Sequence, residues 1–140
     1  KNGKDVTLPN GTTIYAKDVV GESQKGRKVV ILGDTCDASS IADIAQDATL
    51  VVHETTLPDE YRRIVYRRGH ACPSIAGSFA KTINAKKLFI THFGGKYADD
   101  PDFIQSVMVP QAQEAFGNMD VTPAHDFLFY NVPRVIPNKI

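Results

Sequence analysis

Val29-Val30-Ile31-Leu32-Gly33-Asp34-Thr35 is an apolar run that stops on a glycine and an aspartate. An unbroken apolar stretch over Lys28 to Leu32 reads as a strand buried on both faces, and the Asp at its end contributes nothing to a core. Two later segments repeat the design. Leu50-Val51-Val52-His53-Glu54 ends on a His-Glu pair, and Leu88-Phe89-Ile90-Thr91-His92 ends on a His. Three apolar strands that each deliver a carboxylate or an imidazole at the C-terminal tip place those groups on one edge of a parallel sheet. Ligand and catalytic sites of open α/β sheets lie at that edge.

The segments between and around these strands support the same layout. Val6-Thr7-Leu8 and Thr13-Ile14-Tyr15 flank Pro9-Asn10-Gly11, a hairpin signal. Gly21 to Lys28 is a polar connector. Ser39 or Ser40 is placed to cap a helix with Ile41, Ile44, Ala45 and Ala48 on one face. Pro58-Asp59-Glu60 opens a second helix. Gly69 to Ser74 is a loop leading into a third, with Pro73 in its first turn and a stripe of Ile75, Ala76, Phe79, Ala80 and Ile83. Phe93 to Tyr97 reads as the exit loop of the third strand. A helix over Asp102 to Phe116 must bend or split at Pro110, and Val121 and Phe127 to Val132 read as late strands. Strands joined by crossovers of a dozen or more residues are parallel.

The chain of 140 residues fits one domain, with 42% hydrophobic and 23% charged residues and a formal net charge of zero. Any nucleic-acid binding must therefore come from a local patch. No apolar stretch has the length of a membrane span, and no signal-peptide pattern opens the sequence. Two distant cysteines, Cys36 and Cys72, suit reduced thiols and an intracellular setting. The polar opening Lys1-Asn2-Gly3-Lys4 reads as the interior of a longer protein.

Mixed carboxylate and imidazole donors suit zinc, manganese or iron. His70, in a loop before a helix N-terminus, is placed to hand a proton to a leaving oxygen. Arg62, Arg63, Arg67 and Arg68 form a basic cluster just before it, placed to steer a polyanion. Other chemistries lack their motifs. Gly94-Gly95-Lys96 is no phosphate loop, because position 90 is Ile and Tyr97 stands where Ser or Thr is needed. No dinucleotide fingerprint follows a strand, and no Gly-x-Ser-x-Gly elbow exists.

The ordered set Gly33-Asp34-Thr35, His53-Glu54-Thr55-Thr56, Gly69-His70-Ala71-Cys72-Pro73 and Thr91-His92-Phe93-Gly94-Gly95-Lys96-Tyr97 resembles ribonuclease Z. That family comprises metallo-β-lactamase-fold endonucleases that remove the 3′ trailer of precursor tRNA. The familiar forms are Gly-Asp-Thr, His-Glu-Ala-Thr, Gly-His-Ser-Thr-Pro and Thr-His-Phe-Ser-x-Arg-Tyr. The resemblance implies that Asp34 bridges two zinc ions and that His92 is a ligand of one. It further implies that His70 assists departure of the 3′ oxygen, that Glu54 holds the His70 imidazole, and that His53 packs beneath the site. Arg67, Arg68 and Lys96 are then candidates for contact with the RNA.

Five departures accompany the resemblance. Ala71-Cys72 replaces Ser-Thr, and Cys is a poor helix cap. Thr55 stands in the Ala position. Gly94 replaces Ser, and Lys96 replaces Arg, which keeps charge but loses the bidentate fork. The family's His-x-His-x-Asp-His motif is absent, so the resemblance implies that residues 1–140 are the C-terminal half of a metallo-β-lactamase αββα sandwich. The expected partners are precursor tRNA, an N-terminal half of the same domain and a second copy in a homodimer. Without that half, the isolated chain is expected to be inactive, to hold zinc weakly, and to expose an apolar sheet face and an unpaired edge. The competing readings are a hydrolase of the same fold for small phosphodiesters, sulfate esters or lactones, and a non-catalytic anion- or partner-binding α/β domain.

Overall fold

Four short strands lie side by side in the order β3-β4-β5-β6 and are all parallel. They are β3 (Val29–Ile31), β4 (Leu50–Glu54), β5 (Leu88–Thr91) and β6 (Val121–Pro123). The computed structural model describes residues 3–21 and 26–134, so half of the predicted connector, residues 22–25, lies outside the described residues. Residues 3–21 belong to a separate small unit. It contains β1 (Val6–Thr7), β2 (Thr13–Ile14) and the single-turn helix α1 (Ala16–Val19). The predicted hairpin is present, with Gly11 at φ 84° closing the turn.

In the larger unit the register places Val30, Val51, Leu88 and Val121 in one row across the sheet. Strand side chains alternate faces, so this row and Ile90 point the same way. They pack on α4 (Pro73–Thr82), through Ala76, Phe79 and Ala80, and on α7 (Val109–Phe116), through Val109, Ala112 and Phe116. The two helices approach closely because Gly77 has no side chain. A Cβ there would lie 2.4 Å from the Ala112 carbonyl oxygen. On the opposite face, Phe89 meets the Tyr130 ring edge-on at 5.1 Å, with the Lys87 ammonium 5.3 Å from that ring.

Several local expectations are corrected. The strand read as buried on both faces is the edge of the sheet among the described residues. Val29 is 44% and Ile31 74% exposed, while Val30 and Leu32 pack on the core. An apolar run states that a residue is hydrophobic, not that a neighbour covers it. The helix after it is a 3₁₀ turn, Ser39–Ile41, followed by α2 (Ala42–Ala45). Its first amides are met by Asp37, whose carboxylate accepts from Ser39 N–H at 2.9 Å, and Ile44 faces solvent.

The helix expected over Asp102 to Phe116 is split as Pro110 requires, with Pro110 in the first turn of the last segment. The chain runs α6 (Pro101–Phe103), a π-helical segment Ile104–Met108, then α7. The wider π turn sits where a proline lacks an N–H and crowds the carbonyl four residues back. The exit loop of β5 contains a helical turn, α5 (Gly95–Ala98), and residues 127–132 form no strand.

Candidate functional site

Three strand tips and one helix end converge. β3 leads to Asp34, β4 ends on Glu54 and β5 is followed by His92. His70 comes from the end of α3 (Arg62–Arg67), where Gly69 adopts φ 78°. Gly69 N–H donates to Tyr66 O and His70 N–H to Val65 O, both at 3.0 Å. This is the glycine-terminated helix end that satisfies the last carbonyls, and it turns His70 back toward β4. The following helix α4 begins at Cys72 without a side-chain cap from that residue. Asp59 replaces it from a distance, its carboxylate accepting from Ser74 N–H at 2.9 Å. The expected capping defect is thereby repaired by tertiary structure.

Glu54 is the centre of the arrangement and is 1% exposed. Its carboxylate accepts from the backbone N–H of Thr35 at 2.8 Å and from the Thr56 hydroxyl at 2.5 Å. The third partner is His70 Nδ1, at 3.0 and 3.2 Å from the two oxygens. A buried carboxylate requires such donors, because burial without them costs several kcal/mol, on the order of 3–5 when a partner is removed. His70 and His92 stack with ring centroids 5.6 Å apart. His92 Nδ1 lies 3.1 Å from Thr56 Oγ1 and 3.6 Å from Asp34 Oδ1. The His92 backbone is left-handed at φ 58°, an uncommon conformation for a residue with a side chain.

Asp34, His70 and His92 each offer a donor atom, and these atoms lie within 4.8 Å of one another. Two imidazoles and a carboxylate match the donor types and the three protein ligands of an open zinc site. Asp34 and His92 are half-exposed, which leaves room for an ion and a substrate. Such a cluster is able to hold a metal ion. Beside His92 opens a cleft of about 910 Å³, bounded in part by Asp102, Pro123, His125 and Asp126.

Every predicted site residue has a definite place. Asp34, Glu54, His70 and His92 come together. His53 lies beneath, fully buried, with Nδ1 2.9 Å from Glu54 O and its ring edge-on to Phe79. Burial holds its pKa below the ordinary value, and among the described residues its Nε2 has no hydrogen-bond partner. Arg67 and Arg68 are exposed at the end of α3, and Lys96 is exposed over the Tyr97 ring. Cys36 and Cys72 are free; burial pushes the Cys72 thiol pKa up, which favours its protonated form. Sequence reasoning missed Thr56. A hydroxyl two residues beyond Glu54 was the available signal, but nothing in a linear reading places it between two distant histidines.

No family model matches the sequence. It is 34% identical to the ribonuclease Z of Acaryochloris marina over 96% of this chain. It is 39% identical to that of Bacillus mycoides, also over 96% of this chain. The short form of human tRNase Z superposes on 86% of this chain with a TM-score of 0.59 and 28% identity. The chain is a relative of ribonuclease Z. It spans 42% of the length of those two bacterial ribonucleases Z and 37% of the human chain. A metallo-β-lactamase fold protein of Bacillus subtilis superposes with a TM-score of 0.56 at 23% identity, a likeness of fold alone. The α/β layer described above is thus part of the metallo-β-lactamase fold, as the ribonuclease Z motifs imply.

Proposed function

We propose that this chain is the C-terminal part of a zinc-dependent endoribonuclease that removes the 3′ trailer of precursor tRNA. The observation that carries this reading is the buried Glu54 carboxylate, which holds His70 beside the half-exposed pair Asp34 and His92. In the complete protein Asp34 and His92 would hold the metal, with further ligands coming from an N-terminal half. Zinc, when bound, supplies polarisation of the scissile phosphodiester and acidification of water. With Nδ1 committed to Glu54, the Nε2 of His70 is free to hand a proton to the leaving 3′ oxygen. The cleft beside His92 has room for a nucleotide, and Arg67, Arg68 and Lys96 supply cationic contacts to the phosphate backbone. No helix among the described residues is long and apolar enough to cross a membrane. The free thiols suit a reducing, intracellular setting, and the exposed edge of β3 suits pairing with the N-terminal half and a homodimeric whole.

Two variants of the full protein test the division of labour. His70→Ala should cut turnover on precursor tRNA by roughly 10²–10⁴-fold with zinc content intact. His92→Ala should lower both. Proportional loss of zinc in His70→Ala would make His70 a ligand instead. Replacing Arg67 and Arg68 by Ala should weaken tRNA binding and flatten its salt dependence, while hydrolysis of a small phosphodiester barely changes. Equal losses on both substrates would remove the case for tRNA.

A further inference from the structure

Thr56 bonds to Glu54 and to both loops that carry the histidines. Its backbone N–H donates to Ala71 O at 3.0 Å, in the loop that carries His70. Its carbonyl accepts from Gly94 N–H at 2.8 Å, in the loop that carries His92. Its hydroxyl touches Glu54 Oε2 at 2.5 Å and His92 Nδ1 at 3.1 Å. The approach of the second loop is possible because residue 94 is glycine. A Cβ there would stand 2.7 Å from Thr56 O, inside contact distance.

A hydroxyl has one proton to donate. The short bond to the Glu54 carboxylate takes that proton, since an ionised carboxylate only accepts. The Thr56 oxygen can then meet His92 Nδ1 only as an acceptor, so Nδ1 must carry the ring proton. Asp34 Oδ1 at 3.6 Å is beyond hydrogen-bond range and does not compete. With Nδ1 protonated, the lone pair of the neutral ring resides on Nε2. We infer that Thr56 is a positioning residue which fixes His92 in its Nδ1–H tautomer, presents Nε2 to a metal, and ties that choice to the carboxylate that orients His70. One buried carboxylate then sets both imidazoles, His70 directly and His92 through Thr56. This deepens the phosphodiesterase reading of the same site and rests on His92 being a metal ligand.

The experiment reads the ring nitrogens of the ¹⁵N-labelled, metal-free full protein by long-range proton–nitrogen spectra above pH 7.5, with zinc affinity measured by competition against a chromophoric chelator. Wild type should show His92 as the Nδ1–H tautomer. Thr56→Val, which keeps shape and deletes the hydroxyl, should give a tautomer mixture and lose roughly 10–100-fold in zinc affinity. Thr56→Ser should restore both. An Nε2–H His92 in wild type overturns the inference without any variant. So does Thr56→Val with tautomer and affinity unchanged, or Thr56→Ser behaving like Val. Failure of wild type to cleave precursor tRNA would defeat the proposed function and leave the tautomer result standing.

Discussion

Two carboxylates end neighbouring strands of the same sheet and live under opposite constraints. Asp34 follows the edge strand β3 and has a side chain 57% exposed, whereas Glu54 ends the central strand β4 at 1%. Glu54 is saturated by Thr35 N–H, the Thr56 hydroxyl and His70 Nδ1; Asp34 Oδ1 stands 3.6 Å from His92 Nδ1, beyond hydrogen-bond range. The difference separates two tasks that a sequence writes with the same chemistry. A ligand must be open to an incoming ion, and a group that orients an imidazole must itself be immobile.

The largest effect should come from the buried side. Glu54→Ala leaves Thr35 N–H and the Thr56 hydroxyl without their acceptor and frees His70, so it should destabilise the fold by roughly 3 kcal/mol. Thermal and urea unfolding would measure it, and a stability equal to wild type would break the contrast. Gly94→Ala comes next. Its Cβ would press on Thr56 O, and accommodating it should cost about 1–3 kcal/mol. A neutral outcome would mean that the loop gives way freely and the clamp on Thr56 is loose.

The third effect is a pH dependence. Burial lowers the His53 pKa below the usual 6.5, so the unfolded chain binds that proton more readily than the folded one. The stabilisation from neutral His53 is fully present above about pH 6.5 and is lost as pH falls toward the depressed value. Melting temperature should therefore drop on acidification from pH 7.5 to 5.5, and His53→Leu should reduce that drop. An unchanged slope in the variant would remove His53 as its source. The smallest stability effect belongs to Asp34. Asp34→Ala should shift unfolding by no more than about 0.5 kcal/mol, as at exposed sites, while zinc affinity falls. A large loss of stability would show that the exposed tip is structural after all.

Much of the fold was legible because its signals are local. Apolar runs marked β4 and β5, the Pro73 helix and its stripe were read from periodicity, and the Asn10-Gly11 turn from backbone preference. What was misread shares one cause. β3 is as apolar as β4, and nothing in its residues tells an edge from a centre; coverage is a property of neighbours. Residues 127–132 carry strand-forming side chains but no hydrogen-bonding partner strand. Pro110 forbade a regular helix, yet nothing in the local sequence says that the break takes the form of a π segment.

By itself the sequence determined that Asp34, Glu54 and His92 come to one sheet edge, because apolar strands that end on polar residues deliver them there. It also determined the identity of the relatives, since motif order survives translation into any geometry. Only the tertiary structure decided that Glu54 lies below the site and Asp34 at its mouth, that Asp59 caps the helix that Cys72 leaves uncapped, and that Thr56 joins the two histidine loops. These are contacts between segments 14 to 36 residues apart. Local propensity ends within a turn or two of the chain, whereas hydrogen-bond satisfaction in a buried site is decided by whatever the fold brings within about 3 Å.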